Sequence, residues 1–149
     1  IKANYKKQRD RLERWQQFSN VYVARPKEAS ILPFMSIADI LISDASSTLF
    51  EFTALDKPAI WCDFYKLRWS YRGPLKFRFT RRLDKDIQLF ADVADQTKSF
   101  KELTNAIHKN VENPNAKQSE RLRYRELLTG LVDGNCSIRI ADYLVKNID

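Results

Sequence analysis

Short apolar runs alternate with charged, amphipathic stretches along the first part of the chain. Residues 39–43 have three consecutive apolar residues at their centre and residues 59–62 are apolar throughout, which is typical of strands buried on both faces of a parallel sheet. Residues 21–24 are β-branched and aromatic and predict a further strand. The segments around these runs carry apolar residues at helical spacing. They predict helices at residues 4–18, 28–37 (offset or interrupted by Pro33) and 48–55.

The second half of the chain is predicted to be helical after an irregular segment at residues 65–86. Ser99 and Glu102 have the spacing of a capping box, which predicts a helix from there to about residue 112. The predicted inner face of this helix carries Phe100, Leu103 and Ile107. Two more helices are predicted at residues 117–129 and 137–148, on either side of the Asp133-Gly134 turn.

Buried strands that alternate with helices predict the α/β class. We expect a Rossmann-like parallel sheet flanked by helices, with right-handed crossovers. A length of 149 residues suits one compact domain, so residues 1–149 are predicted to form a single Rossmann-like domain. The chain starts without Met and inside a predicted helix, and we therefore expect a fragment of a longer protein.

Charge and cysteine content narrow the class of partner. Lys and Arg number 26 against 19 Asp and Glu, and the net charge of +7 favours anionic partners such as nucleotides, phosphopolymers or lipid surfaces. Two distant cysteines, Cys62 and Cys136, do not make a disulfide framework, which indicates a reducing, cytosolic setting. No stretch approaches the roughly 20 apolar residues that span a membrane.

The segment from Ser43 to Glu51 joins a predicted strand to a predicted helix. Ligands of doubly wound sheets bind beyond the carboxyl ends of the strands, and the free N–H groups of a helix start favour phosphate. The hydroxyl groups of Ser46, Ser47 and Thr48 add further donors, so these three residues are predicted to hold a donor phosphate. We predict that Glu51 accepts hydrogen bonds from a ribose diol, with Asp44 as a second contact to the nucleotide.

An ordinary helix start has much the same sequence. Thr48-x-x-Glu51 is also a capping box, and Asp44 could simply close a turn. On this segment alone, the capping and binding interpretations have equal weight.

A basic segment at residues 66–82 is the second candidate for anion binding. It holds seven basic residues and no acid, interleaved with aromatic residues. We predict that Arg78, Arg81 and Arg82 face an anionic acceptor or a membrane surface. Such a composition also suits single-stranded nucleic acid, but no RNP-like motif or zinc-finger spacing accompanies it. Nucleic acid is therefore not an expected partner.

No other side chain is a convincing catalytic or metal-binding group. His108, the only histidine, is predicted to be a solvated helix residue, so no general base is assigned. Asp84-Lys85-Asp86 has a D-x-D spacing but no further ligand nearby, and it is predicted to be a turn or a helix start. Asp63, just past a predicted strand, could contact a donor or close a turn. No metal and no cofactor are predicted.

Three segments resemble the CDP-glycerol glycerophosphotransferase family of teichoic-acid-type polymer synthesis. Residues 38–52, with the sequence ADILISDASSTLFEF, are followed by LDKPAI at 55–60, and both are similar to family signatures in the same order. Tyr71-Arg72-Gly73 resembles the family's Arg-Gly element. Residues 133–143 resemble the beginning of its closing helix.

The resemblance implies a GT-B architecture of two Rossmann-like domains, of which this chain is the C-terminal, nucleotide-donor-binding half. The implied reaction moves glycerol phosphate from CDP-glycerol, or a related nucleotide-linked donor, to a glycerophosphate-type or glycan acceptor that can be lipid-linked. The resemblance implies no bound metal and makes Arg72 a donor-phosphate contact. The expected location is the cytoplasm, peripheral to the inner face of the cell membrane.

Two departures from the family pattern limit what the resemblance implies. Ala45 stands where the family usually has Tyr, and residues 1–10 contain no histidine. The donor is therefore not fixed, and a catalytic base is expected outside these residues, so the isolated chain is expected to be inactive. The alternative function is a non-catalytic basic module that binds an anionic polymer or a membrane surface.

Overall fold

A computed structural model describes residues 2–25, 28, 30–64, 73–77 and 89–147. The chain divides into two compact units, Ile1–Ile37 and Ala38–Asp149, and each is described by itself. The single domain expected for residues 1–149 stays a prediction.

The described residues of the first unit form two helices, α1 (Lys2–Trp15) and α2 (Leu32–Ile37). Residues 21–24 form no strand, so that prediction is wrong. Instead the backbone N–H of Val21 donates to Phe18 O at 3.1 Å, and the Tyr22 hydroxyl donates to Glu28 Oε1 at 2.7 Å. These local hydrogen bonds make a turn. A β-branched and aromatic composition gives a strand only where another strand pairs with it. The second helix begins later than predicted, with Pro33 in its first turn, where a missing N–H costs nothing.

The second unit is built on a parallel sheet of three strands, in the order β1-β2-β3. The register places Ser43 beside Trp61 and Trp61 beside Gln96. Helices flank the sheet, which confirms the α/β, Rossmann-like prediction. The strands are β1 (Leu41–Ser43), β2 (Ala59–Cys62) and β3 (Ala94–Thr97). The helices are α3 (Thr48–Thr53), α4 (Leu89–Val93), α5 (Phe100–Glu112), α6 (Gln118–Thr129) and α7 (Cys136–Asn147), and Gly73–Leu75 forms a 3₁₀ turn.

The core of this unit lies on both faces of β2. Trp61 faces α3 and α4, since its ring meets the edge of Phe90 at a centroid distance of 5.9 Å. Ile60 points to the opposite face, where α5 packs, and is fully buried. The prediction of two buried faces is therefore right for β2. It is wrong for β1, where Ile42 is 46% exposed because this strand is at the edge of the described sheet.

A buried ion pair ties the α3–β2 connection to α6. Asp56 has a left-handed backbone, with φ of 58°, and its carboxylate accepts from Arg121 Nε at 3.0 Å. The Arg121 side chain is 1% exposed and that of Asp56 is 25% exposed. Gln118 also donates to Asp56. A guanidinium so deeply buried needs this partner, because an unpaired charge in the interior is very costly.

Sequence patterns did not predict β3, whose sequence Ala-Asp-Gln-Thr is polar. Asp95 is accommodated there because Asn110 Nδ2 donates to its carboxylate at 2.8 Å and Lys109 Nζ at 3.2 Å. Burial alone would raise the pKa of Asp95, but these hydrogen bonds and the charges of Lys109 and Lys117 outweigh it and lower the pKa.

The lowered pKa of Asp95 makes stability depend on pH. Because the pKa of Asp95 is lower in the folded state than in the unfolded state, its ionised carboxylate stabilises the fold at neutral pH. This stabilisation is lost as the pH falls through the pKa of Asp95 in the unfolded chain and then through its pKa in the folded chain. We expect Asp95→Asn to lower the free energy of unfolding by about 1 kcal/mol at pH 7. At lower pH the difference between the variant and the unsubstituted chain should shrink, because Asp95 becomes protonated.

Urea denaturation at pH 7 and pH 2 measures this difference. Asp142→Asn is the matched control, because Asp142 is exposed on α7 and makes no ion pair with another described residue. A loss for Asp95→Asn that is the same at both pH values would contradict the assignment.

The last three helices agree well with the predicted boundaries. The capping box of α5 is formed, since Ser99 Oγ accepts from the backbone N–H of Glu102 at 3.2 Å. The predicted inner face is only partly right: Phe100 is 75% exposed, and the buried positions of this helix are Ala106 and Asn110. The small side chain of Ala106 and the amide of Asn110 face the sheet, where the Asn110 amide donates to the Asp95 carboxylate.

Candidate functional site

The three strands end at one edge of the sheet, where several polar groups meet. The backbone N–H of Asp63 donates to Thr97 O at 2.8 Å, which extends the β2–β3 pairing by one step. Burial raises the pKa of the Cys62 thiol, a hydrogen bond with Thr97 lowers it, and the nearby negative charge of Asp44 raises it further. Thus Asp44, Cys62 and Asp63 all lie at the carboxyl edge, as the strand order requires.

The β1–α3 junction brings three hydroxyl groups together at this edge. The Thr48 hydroxyl donates to Ser46 Oγ at 3.1 Å, and it lies 3.5 Å from Ser43 Oγ. Ser46 and Thr48 are half-buried, whereas Ser47 is exposed. The cluster therefore presents hydroxyl groups on small side chains, directly beyond the end of β1.

The capping-box interpretation of Thr48-x-x-Glu51 is wrong. The N-cap residue of α3 is Ser47, its backbone is helical, and its side chain makes no capping hydrogen bond. The backbone N–H of Thr48 instead donates to Ser46 Oγ at 3.5 Å. Glu51 does not reach back to a backbone N–H in a capping box. Its Oε1 instead accepts from Ser47 Oγ at 3.3 Å. The hydroxyl groups of Ser47 and Thr48 are therefore not used to close the helix.

The backbone of the junction has spare hydrogen-bond donors. Within the described part of the chain, none of the N–H groups of residues 44–47 donates to another residue. Buried Leu49 and Phe52 hold the short helix α3 against the sheet, so the turn that precedes it has a fixed position. Consecutive free N–H groups in a turn make a concavity that suits an anion.

One comparison with known proteins identifies the family. A family model described as CDP-Glycerol:Poly(glycerophosphate) glycerophosphotransferase matches residues 2–146. The chain belongs to this family. The family is one of transferases, and it implies a donor of the CDP-glycerol type and an acceptor. Searches of curated proteins and of solved structures gave no match.

The other residues predicted for the candidate site have different outcomes. Asp44 and Glu51 are exposed, Asp44 within the junction and Glu51 in the first turn of α3, where it accepts from Ser47. Asp63 accepts from Gln96 Nε2 at 2.7 Å. The predicted donor contact Arg72, the basic residues Arg78, Arg81 and Arg82, and the Asp84-Lys85-Asp86 sequence lie outside the described residues. Their roles, and with them the alternative of a basic docking module, stay predictions.

The single histidine of the chain lies away from the junction in sequence and is solvated. His108 is exposed on α5, as predicted. Within the described ranges, no group of three or more His, Cys, Asp or Glu side chains could hold a metal ion. Among the described helices, none is long and apolar enough to cross a membrane.

Sequence reasoning missed one polar group in the sheet. Trp61 is 5% exposed, and its indole Nε1 has no hydrogen-bond partner among the described residues. The available signal was a tryptophan, which always carries an N–H donor, inside an otherwise apolar strand. Its missing partner, however, is a property of the folded chain alone.

Proposed function

We propose that the β1–α3 junction binds the diphosphate of a CDP-glycerol-type donor. The chain is then the donor-nucleotide-binding part of a CDP-glycerol:polymer glycerophosphotransferase. The observation that carries this proposal is the set of free backbone N–H groups at residues 44–47 beside the Ser46–Thr48 hydroxyl groups. Family membership supports the choice of ligand, because the donor class contains a diphosphate.

The chemistry of the junction suits an anion more than a neutral ligand. Backbone N–H groups and hydroxyl groups can surround phosphate oxygens from several directions, and hydrogen bonds to a charged acceptor are the strong ones. The net charge of +7 adds long-range attraction. Glu51 and Asp44 are assigned to the ribose hydroxyl groups, because carboxylates accept from a diol and repel phosphate.

The reaction that follows is transfer of a glycerol phosphate group. An acceptor hydroxyl attacks the phosphorus next to glycerol, a new P–O bond forms, and the bond to the bridging oxygen breaks with release of CMP. The junction stabilises the negative charge that grows on the departing CMP, and Arg72 is proposed to assist. The general base is assigned to residues outside this chain, which therefore does not turn over donor by itself.

The wider setting is proposed on the same basis. The acceptor is a glycerophosphate-type or glycan polymer that can be lipid-linked, and the protein works in the cytoplasm at the inner face of the membrane. The architecture is the donor half of a GT-B fold, and the process is synthesis of a teichoic-acid-type polymer.

We expect the chain to bind CDP, CDP-glycerol and CDP-ribitol in calorimetric titration. Ser46→Ala and Ser47→Ala should each lower the affinity for CDP about tenfold, since each removes a hydroxyl donor to a charged phosphate. Ser137→Ala is the matched control, because Ser137 is an exposed serine on α7. Absence of CDP binding at millimolar concentration, or unchanged affinity in both junction variants, would refute the proposal.

A further inference from the structure

The helix α1 has an apolar face that no described residue covers. Every residue from Lys6 to Phe18 is exposed, so α1 buries nothing over this length. Leu12 is 42% exposed, and Trp15, three residues further on, is 57% exposed. Residues three apart lie on one side of a helix, so these two side chains share a face. Most helical stability in proteins comes from packing such a face, and α1 therefore needs a surface to lie against.

An aromatic side chain extends this face beyond the end of α1. The Phe18 ring lies 5.9 Å from the Trp15 ring, measured between centroids, and Phe18 is 55% exposed. We call Leu12, Trp15 and Phe18 the apolar face of α1. Tryptophan is enriched at the boundary between lipid and water, because its indole is apolar except for one N–H group.

A ridge of basic residues runs beside the apolar face. Lys7, Arg11 and Arg14 follow one another at spacings of four and three residues, so they share one side of α1. Since a helix turns by about 100° per residue, Arg11 is next to Trp15 around the helix axis. The three basic residues are exposed, and none has an ion-pair partner among the described residues. We call them the basic ridge.

The acidic residues of α1 are turned away from the apolar face. Both Asp10 and Glu13 lie on the far side of the helix from Trp15, by the same helical geometry. Glu13 Oε1 is also 3.5 Å from Arg9 Nε, which ties it to a basic residue outside the ridge. Residues 6–15 hold five basic and two acidic side chains, a local charge of +3. Positive charge is therefore concentrated next to the apolar face and negative charge is kept away from it.

We propose that α1 binds the surface of an anionic lipid bilayer. An amphipathic helix with Trp, Phe or Leu on one side and Lys or Arg beside them lies in the plane of the interface. The apolar face enters the boundary between headgroups and acyl chains, and the basic ridge contacts the anionic headgroups.

Two other occupants suit the surface less well. A second copy of the chain would bring two helices of like charge together, which costs energy. A soluble polyanion would satisfy the basic ridge but leave the apolar face in water. The location proposed above names no membrane-binding surface, and this inference uses none of the residues of the donor junction.

Vesicle cosedimentation of the 149-residue chain tests the role of the basic ridge. We expect vesicles of phosphatidylcholine with phosphatidylserine to bind the chain about tenfold more tightly than vesicles of phosphatidylcholine alone. The triple variant Lys7→Gln/Arg11→Gln/Arg14→Gln should lose most of this preference. The control Lys98→Gln/Lys101→Gln/Lys146→Gln removes the same charge from exposed positions elsewhere and should keep it.

Trp15→Ala tests the apolar face. It should lower the affinity for the mixed vesicles about tenfold, because a large apolar side chain no longer enters the lipid. Tyr143→Ala is the matched control, since Tyr143 is an aromatic residue on α7 with 67% exposure, and it should bind normally. Tryptophan fluorescence should shift to shorter wavelength when the mixed vesicles are added, and Trp15→Phe should remove this shift.

Each result either supports or overturns the proposal. Vesicle binding that is unchanged in the basic-ridge variant, or equally reduced in its lysine control, overturns it. Binding that depends on the ridge but is unaffected by Trp15→Ala would identify a site for a soluble polyanion instead.

Calorimetric titration with CDP separates this inference from the proposed function. The α1 variants should bind CDP as the unsubstituted chain does. A chain that binds vesicles through α1 but does not bind CDP loses the donor proposal and keeps this one. Normal CDP binding without vesicle binding has the reverse meaning.

Discussion

Replacing Asp56 by Gly is expected to lower the free energy of unfolding by about 2–4 kcal/mol. Removing one partner of a buried ion pair costs about 3–5 kcal/mol, because the other charge stays in the interior unpaired. Here that charge is the guanidinium of Arg121, whose side chain is 1% exposed. Glycine adopts the positive φ of residue 56 without strain, which returns about 1 kcal/mol. Urea denaturation followed by circular dichroism measures the difference.

Two further variants make the Asp56 prediction specific. Asp133→Gly removes the carboxylate of the exposed pair with Arg139 and should cost less than about 1 kcal/mol. The double variant Asp56→Gly/Arg121→Met should be more stable than Asp56→Gly alone, because it removes the stranded charge. If the losses in the free energy of unfolding caused by the two substitutions instead add, the destabilisation by Asp56→Gly does not come from an unpaired guanidinium.

The second large effect is expected for Leu49→Ala, with a loss of about 3 kcal/mol in the free energy of unfolding. Leu49 is completely buried, and the truncation leaves a cavity between α3 and the sheet. Leu49 also follows Thr48 directly, so the same change loosens the hydroxyl cluster. We therefore expect CDP to bind several-fold more weakly, measured at a temperature where the variant is still folded.

Leu127→Ala is the matched control for Leu49→Ala. The same atoms are removed, but Leu127 is 68% exposed on α6, so the effect should be within about 0.5 kcal/mol. A Leu49→Ala variant that is destabilised but binds CDP normally would show that the position of α3 is not important for the donor. Equal effects of the two substitutions would contradict the packing of α3.

The features that could be predicted from sequence are those with local causes. The strand β2 was predicted with its observed bounds, because a short apolar run between turn signals contains all the information needed. The capping box of α5 was predicted for a similar reason, since Ser99 and Glu102 are three residues apart. Residues 21–24 show the limit: their composition favours a strand, but pairing depends on a neighbour that local sequence does not specify.

The features that escaped prediction have tertiary causes. The strand β3 contains Asp95, which is tolerated because Asn110 and Lys109 bind its carboxylate from α5. No pattern within the sequence Ala-Asp-Gln-Thr shows that partnership. At the site, the position of Ser46 and Thr48 beyond a strand end could be predicted from the sequence. The unpaired indole N–H of Trp61 could not, because the lack of a partner among the described residues is a property of the folded chain.

The ion pair between Asp56 and Arg121 also has a consequence for the order in which this protein is made. The two residues are 65 positions apart, and Ala59 of β2 pairs with Ala94 of β3, so both contacts close long loops. Loops of this length cost entropy before any contact forms, and parallel pairing of this kind slows folding. A ribosome releases β1, the junction and β2 well before α6. The α3–β2 connection therefore gains its ion pair late in synthesis, when the helix that carries Arg121 has left the exit tunnel.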